Sequence, residues 1–222
     1  MYKTERLFDL LPKESVFNAE IIFIGEDYIV LDRTLFYPFS GNQQCDTGVI
    51  NERIVTDVTI EILDNPAEKL SMNAPIRHYL DVGGFQVGQS VTGNIDFSTR
   101  FKTMRLHSAS HLVEYFISQT SEFISAEGSF VCPEKDRTDY RLSSNITADE
   151  LAILEDKVNQ FIANGELIDF TMQGDLRIWQ CAGISMPCCG THVANTLEIG
   201  SVKLTKKNKG KGINRIEITL VD

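Results

Sequence analysis

Two histidine-containing pairs are the residues of this sequence best suited to chemistry. His107 and His111 are four residues apart, and Cys188 and His192 repeat that spacing 77 residues downstream. Three of the four histidines of the chain lie in these pairs. Imidazole nitrogen and thiolate sulfur are ligands that zinc prefers, so two converging pairs would form a tetrahedral site. The sequence therefore predicts a metalloprotein in which these four residues bind Zn²⁺.

The surroundings of each pair indicate how it is presented. The apolar pattern over 104–119 predicts a helix, which would place His107 and His111 on one face, one turn apart. The segment from Pro187 to His192 contains proline and glycine and predicts a tight loop. Cys189 is a competing ligand, but Cys188 has the spacing to His192 that matches the first pair.

The site differs from that of a zinc protease, which has a glutamate directly after its first histidine as general base. Here that residue is Ser108. Four protein ligands would close a tetrahedral zinc and indicate a structural role, whereas catalysis needs an open position. The sequence leaves open whether His192 binds zinc directly or through a water, and it does not identify a catalytic base.

The composition is that of a globular protein. The chain has 222 residues, 42% of them hydrophobic and 23% charged, enough for one large core or two modest ones. No apolar run approaches the roughly 18 residues of a membrane span, and the N-terminus is not a signal peptide. Five scattered cysteines favour a reducing compartment, so the expected location is the cytoplasm, without membrane association.

The charge is unevenly distributed. The net charge is −10, which should repel nucleic acid at long range. Between residues 203 and 215, however, there are six basic residues and no acidic one. This stripe could contact phosphates, or it could be the solvated turn of a lysine-rich hairpin.

The predicted elements divide the chain into a β-rich N-terminal part and a mixed C-terminal part. Short apolar stretches separated by turns over 1–95 predict a small barrel or sandwich. In 96–222 we expect two helices and several strands. Thr147 and Glu150 form a capping-box pattern that begins the second helix, and Gly165 ends it. Strands are expected at 168–172, 199–205 and 213–221. The predicted domains are therefore 1–95 and 96–222.

Motifs on both sides of this boundary resemble one family. The segment MRLHSASHL at 104–112, followed by CCGTHVANTLEIG at 188–200, resembles the editing domain of alanyl-tRNA synthetase and, most closely, the free-standing AlaX-type alanyl-tRNA editing proteins. The resemblance implies an α+β fold: an N-terminal small β-barrel, then an α/β editing domain with an antiparallel sheet packed by two main helices. Family members that have the N-terminal β-barrel carry a Gly-Gly-Gly-Gln motif in it. In this chain the corresponding residues are Ser40, Gly41, Asn42 and Gln43.

The family resemblance implies a function and assigns further residues. It implies hydrolysis of mischarged tRNA(Ala), with release of serine or glycine from the terminal ribose. Because the chain ends at Asp222 without room for an aminoacylation domain, activity in trans is expected. The expected partner is the tRNA(Ala) acceptor end, with Ser40 to Gln43 near the entrance and Ser129 or Thr191 near the substrate hydroxyl. The acceptor-stem phosphates would contact Lys206, Lys207, Lys209 and Lys211.

Three other classes of protein fit the same residues. A threonyl-type editing domain shares both ligand pairs, but usually has Gly-Pro-His where this chain has Gly190-Thr191-His192. A non-catalytic RNA-binding module with structural zinc is a second alternative, and a zinc hydrolase of small esters is a third. The preference for serine or glycine and the oligomeric state are not determined by the sequence.

Overall fold

The computed structural model describes residues 2–61, 74–210 and 212–221, and the chain forms two compact units, residues 1–100 and 101–222. The content is mixed and rich in sheet, as the α+β prediction requires. None of the helices within the described residues is long and apolar enough to span a membrane.

The first unit is built from short strands. Its described residues form one short helix, α1 (Leu7–Leu10), and the following strands: β1 (Glu5–Arg6), β2 (Val16–Ile24), β3 (Tyr28–Leu31), β4 (Arg33–Thr34), β5 (Gly48–Ile50), β6 (Arg53–Val55), β7 (Asp57–Ile60), β8 (Ile76–Tyr79) and β9 (Ser90–Ile95). Seven of them pair antiparallel in the order β6-β5-β9-β2-β3-β8-β7, a barrel-like sheet, and β1 pairs with β4. The expected strand-rich character of this part of the chain is confirmed.

Alternating burial explains why these segments form a sheet around a core. In β2, Phe17, Ala19 and Ile21 are buried while the residues between them are exposed, the period of two that a half-buried strand requires. β9 alternates in the same way. Gly93 of β9 lies against the Phe17 ring, and a Cβ built there would be 2.3 Å from that ring. The glycine therefore makes room for the aromatic core residue.

A buried ion pair anchors the loop before β5. Arg100 and Asp46 are both buried, and the guanidinium donates from Nε to Asp46 Oδ1 at 2.8 Å and from Nη2 to Oδ2. Nη2 also donates to the Leu35 carbonyl at 2.7 Å, and Asp46 Oδ2 accepts from the Tyr37 amide at 2.6 Å. A buried charge is tolerated only when it is paired and hydrogen-bonded, so these contacts hold each other in place.

The second unit contains two sheets and most of the helical residues. Its elements are α2 (Phe97–Ser118), which begins in the first unit, β10 (Phe123–Cys132), β11 (Lys135–Leu142), α3 (Ala148–Ala163), β12 (Ile168–Gln173), β13 (Leu176–Cys181), β14 (Ile184–Pro187), a 3-10 helix (Thr196–Ile199), β15 (Ser201–Gly210) and β16 (Ile213–Val221). The strand orders are β10-β11-β16-β15 and β12-β13-β14, both antiparallel.

The two helices show how well local signals define an element. The capping box that begins α3 is confirmed: the Glu150 amide donates to Thr147 Oγ1 at 3.2 Å, and the Thr147 amide donates to Glu150 Oε2 at 2.7 Å. The predicted start of α2 at Met104 is wrong, because the helix begins at Phe97. Asp96 caps it by accepting from the Thr99 amide at 3.1 Å.

One core lies between the helices and the four-stranded sheet. Leu106 and Val113 of α2 and Val158 of α3 are buried in the same cluster as Tyr140 of β11 and Ile216 of β16. The strands at β12, β15 and β16 confirm those expected from the sequence, with β15 ending five residues later than predicted. Strands β10, β11, β13 and β14 were not predicted.

The Arg100–Asp46 pair yields a stability prediction. Arg100→Met should destabilise the protein by about 3 kcal/mol, because Asp46 would remain buried and ionised without its partner. The double variant Arg100→Met/Asp46→Asn should recover part of that loss. Urea unfolding measures both free energies, with the exposed Asp27→Asn as control. An Arg100→Met protein within about 0.5 kcal/mol of the parent would contradict this role.

Candidate metal centre

The helix and the distant loop bring the four predicted ligands together. His107 and His111 lie on α2, while Cys188 and His192 lie in the loop between β14 and the 3-10 helix. One donor atom from each of the four residues lies within 4.8 Å of the others, and the group is buried or half-buried. This arrangement could hold a metal ion.

Two distances within the group match the edge of a tetrahedral site. Cys188 Sγ is 3.5 Å from His107 Nε2 and 3.2 Å from His192 Nε2. In a tetrahedron with zinc–ligand bonds of about 2.0–2.3 Å, neighbouring ligand atoms lie about 3.3–3.7 Å apart. The ring centroids of His107 and His192 are 4.2 Å apart, so the two imidazoles are in contact.

One buried nitrogen in the group lacks a protein partner. His111 Nε2 is inaccessible to solvent and has no hydrogen bond within the described part of the chain. A buried polar atom without a partner is costly. A cation at the centre of the four residues would complete the bonding of this nitrogen, so the donor set fits a metal ion.

Ser108 fixes the orientation of His192. Its hydroxyl is fully buried, lies 3.1 Å from His192 Nδ1 and accepts from the Val193 amide at 3.3 Å. With Nδ1 held by the hydroxyl, Nε2 is the nitrogen that faces Cys188. Polar partners of this kind orient a ligating histidine and fix its tautomer. The sequence showed only that Ser108 was not the glutamate of a protease.

Arg177 of β13 braces the ligand loop, a role that was not predicted from the sequence. Its carbonyl accepts from the Cys188 amide at 2.9 Å, and its guanidinium donates to the Gly190 carbonyl at 2.7 Å. The guanidinium carbon lies 3.5 Å from the centroid of the Phe170 ring, which in turn is 5.7 Å from that of His192. The sequence feature that could have indicated this role is a single arginine within the otherwise largely apolar segment that forms β13.

Burial controls the protonation of the ligands. It lowers the pKa of His111 to about 4. Burial first, then the neighbouring histidines and last the charge of Arg177 hold the pKa values of His107 and His192 well below their usual range. These imidazoles are therefore neutral at pH 7, with lone pairs available. Burial raises the pKa of the Cys188 thiol to about 11, so this thiol favours ionisation only beside a positive charge such as a metal ion.

Thr191 and Ser129 have different environments. Thr191 is buried and directly precedes His192. Ser129 is exposed on β10, opposite Thr138 of β11. A role for either residue in reading a substrate hydroxyl stays a prediction.

The segment from Ser40 to Gln43 forms a tight turn in the first unit. The Gln43 amide donates to the Ser40 carbonyl at 2.9 Å, and Gln43 is fully buried. Gly41 and Asn42 have φ of 55° and 63°. Asparagine is among the residues that tolerate this left-handed region, so Asn42 preserves a backbone conformation that glycine favours. Its place near a tRNA entrance stays a prediction.

The lysines expected to contact tRNA are engaged within the unit. Lys207 Nζ lies 2.9 Å from Glu217 Oε2, and Lys209 Nζ lies 3.3 Å from Asp139 Oδ2. Lys206 donates to a carbonyl before α3. Lys211 lies outside the described residues. The sequence showed the cations but not the carboxylates that they meet.

A buried carboxyl next to α2 was also missed. Asp136 of β11 is 2% exposed, and its Oδ1 accepts from Thr138 Oγ1 at 3.3 Å. Ser110, which precedes His111, also hydrogen-bonds to it. Burial raises the pKa of Asp136 to about 7, with a further contribution from the charge of Glu114.

Comparisons with known proteins agree with the motifs. The family model "Threonyl and Alanyl tRNA synthetase second additional domain" matches residues 176–217, and "tRNA synthetases class II (A)" matches residues 2–99. Alanine–tRNA ligases match almost the whole chain: that of Methanoregula boonei is 30% identical over 237 residues, covering 96% of this chain and 25% of the relative, and that of Methanococcus vannielii is 32% identical over 240 residues, covering 97% and 26%.

A bacterial relative shows the same similarity. The alanine–tRNA ligase of Xanthomonas campestris is 32% identical over 216 residues, covering 87% of this chain and 24% of the relative. The chain spans about a quarter of the length of these curated relatives. It belongs to the alanyl-tRNA synthetase-related family, so the resemblance stated from its motifs is confirmed.

The ligand group yields a metal prediction with a built-in control. The purified protein should contain about one zinc ion per chain, and Cys188→Ala should lose it, whereas Cys189→Ala should keep it. Chelation should lower the Tm of the parent and of Cys189→Ala, because binding to the folded state alone stabilises that state. Elemental analysis and thermal unfolding measure these effects. Full zinc content in Cys188→Ala would overturn the ligand assignment.

Asp136 yields a pH prediction. Between pH 3.8 and about 7 the native carboxyl keeps a proton that the unfolded chain has released, so its contribution to the free energy of unfolding falls as the pH rises. Asp136→Asn should therefore gain stability relative to the parent across this window, by at least about 1 kcal/mol, and level off above it. Urea unfolding at pH 5, 7 and 8 tests this, with the exposed Asp156→Asn as control. A difference that does not vary with pH would refute it.

Proposed function

We propose that the chain is an aminoacyl-tRNA deacylase that hydrolyses mischarged tRNA(Ala), Ser-tRNA(Ala) or Gly-tRNA(Ala), at a zinc site. The observation that supports this most strongly is the convergence of His107, His111, Cys188 and His192 in a chain related to alanine–tRNA ligases along 96% of its length. Homology to the editing region supports tRNA(Ala) editing at the level of the family. Zinc, hydrolysis and the amino acid released are the proposal.

The chemistry required is modest. An aminoacyl ester is already an activated acyl group, so an enzyme mainly has to position the ester and a water and stabilise an oxyanion. Bound Zn²⁺ would supply a Lewis acid for this purpose. The four ligands would hold it, and their protonation suits that role, because three buried neutral imidazoles offer lone pairs and one thiol can ionise beside the cation.

The residues around the ligands keep the site in one geometry. Ser108 orients His192, and Arg177 holds the backbone of the loop at Cys188 and Gly190. Arg177 also places a positive charge near the ligands, which adds a little to the lowering of the pKa values of His107 and His192 by burial. A positive charge in a partly dehydrated site would favour the negative charge that develops during ester hydrolysis.

Editing is needed because a binding pocket alone discriminates poorly. A pocket built for alanine rejects glycine by only about 1–3 kcal/mol, and it cannot strongly exclude serine, which adds a hydroxyl. A second site that hydrolyses the wrong product restores accuracy. The proposed partners of the serine hydroxyl are Ser129 and Thr191. The proposed ligand of the whole site is the tRNA(Ala) acceptor end. The enzyme would act in trans, in the cytoplasm where tRNA is charged.

One observation favours a second function. Four protein ligands within 4.8 Å of one another would fill a tetrahedral zinc, and closed sites of this kind are usually structural. A non-catalytic RNA-binding module is therefore the competing function.

A threonyl-type editing domain is a further alternative, because one matching family model covers threonyl as well as alanyl enzymes. The chain, however, has Gly190-Thr191-His192 rather than the Gly-Pro-His of the threonyl pattern.

Deacylation is the test of this proposal. The purified, zinc-loaded chain should release amino acid from Ser-tRNA(Ala) or Gly-tRNA(Ala) at least about 100-fold faster than spontaneous hydrolysis, and should spare Ala-tRNA(Ala). Cys188→Ala and His111→Ala should lose zinc and this activity together, whereas Cys189→Ala should retain both. Faster release from Ser-tRNA(Thr) would identify the threonyl-type enzyme, and tRNA binding without turnover would identify the non-catalytic module.

A further inference from the structure

One face of the four-stranded sheet packs against the helices of the second unit, and the other face carries partly exposed side chains. Tyr140 of β11, Leu204 of β15 and Ile216 of β16 point toward α2 and α3. The alternate residues lie on the opposite face, which we call the outer sheet face. Lys203 lies on this face by register, but its ammonium pairs with Glu155 of α3 at 2.9 Å and is not counted with it. The other charged residues of the face are Glu127, Lys135, Arg137, Asp139, Arg141, Lys207, Lys209, Arg215 and Glu217.

The outer sheet face is positive in a negative protein. It contains six of the 21 basic residues of the chain but only three of its 31 acidic residues, while the net charge of the chain is −10. Lys207 is 62% exposed and Lys209 45% exposed. A polyanion approaching this protein would be repelled by the overall field and attracted at this face.

Two carboxylates hold four of the cations in place. Asp139 pairs with Arg215, at 2.7 Å to Nε, and with Lys209. Glu217 pairs with Lys207 at 2.9 Å and with Lys135 at 3.0 Å. Each carboxylate is thus shared by two cations, and each cation keeps further N–H donors. The side chains are ordered on the sheet before a ligand binds, which reduces the entropy lost on binding.

Arg137 differs from the other cations. It lies on β11, an inner strand of the sheet, opposite Glu217 in the register, yet within the described residues it forms no ion pair. Its guanidinium carbon lies 5.6 Å from the centroid of the Phe130 ring on β10. An arginine on an aromatic platform, with its donors uncommitted to carboxylate, is suited to bind phosphate.

We propose that the outer sheet face is the docking surface for the sugar–phosphate backbone of the tRNA substrate, with Arg137 as its central contact. This inference rests on the proposed function for the identity of the RNA. It replaces the lysine stripe by a surface that spans three strands, and it excludes Lys206, whose ammonium is bonded to the Ile146 carbonyl. Because α2 packs on the other side of the sheet, the acceptor end must pass the sheet edge to reach the metal centre.

The test measures binding rather than turnover. Anisotropy titrations use uncharged, fluorescently labelled tRNA(Ala) with the zinc-loaded full chain over a range of salt concentrations. Arg137→Gln should weaken binding by about three- to tenfold and reduce the slope of log affinity against log salt by about 0.7–0.9, the value for one phosphate contact. Arg137→Lys should restore the slope. Lys157→Gln, the same charge change on the exposed side of α3, should alter neither quantity.

Each outcome has a distinct meaning. Unchanged affinity and slope in Arg137→Gln, with an unchanged Tm, would overturn the docking surface, as would an equal loss in Lys157→Gln. If Arg137→Gln lowers the affinity for tRNA but the parent chain does not hydrolyse mischarged tRNA, the docking surface stands and the deacylase proposal fails. If the parent chain hydrolyses mischarged tRNA and Arg137→Gln does not change the KM, the deacylase proposal stands and the docking surface fails.

Discussion

The second unit is organised around the need to satisfy four buried ligand atoms that belong to distant parts of the chain. Three neutral imidazoles and a thiol with a raised pKa lie within 4.8 Å of one another, and within the described residues no protein group completes the bonding of His111 Nε2. Such a group is unfavourable alone and favourable around a cation. Helix α2 supplies two of the ligands because its period places residues i and i+4 on one face.

The loop that supplies the other two ligands has no regular structure, so its position depends on residues outside it. Arg177 bonds to both the amide of Cys188 and the carbonyl of Gly190, and Ser108 fixes the ring of His192 from the helix. The same unit presents a different kind of charge on its outer sheet face, where Asp139 and Glu217 are each shared by two cations. The unit thus has a cluster of buried or half-buried ligand atoms on one side of the four-stranded sheet and a basic face on the other.

The sequence predicted the features that depend on local signals. The ligand pairs followed from residue type and spacing, and α3 followed from its capping box and apolar stripe. The start of α2 was missed because it depends on the Asp96 cap, ahead of residues with little helical periodicity. Strands β10 and β11 were missed because charged residues on their outer face, together with irregular pairing near Ala126 and Gly128, obscure the alternation.

Contacts between distant residues could not be predicted from the sequence. The roles of Arg177 and Ser108 depend on hydrogen bonds that form only when β13, α2 and the ligand loop meet, and the pairing of Arg215 with Asp139 joins residues 76 apart. Burial of a single side chain is equally hidden in the sequence, because no local signal distinguishes the buried Asp136 from the exposed carboxylates of the chain.

The most direct measurement is anomalous X-ray diffraction at the zinc absorption edge from crystals of the protein as purified. This account predicts one peak per chain, about 2.0–2.3 Å from the ring nitrogens of His107, His111 and His192 and from Cys188 Sγ. A peak bonded to Cys189 instead of Cys188, or no peak among these four residues, would contradict it.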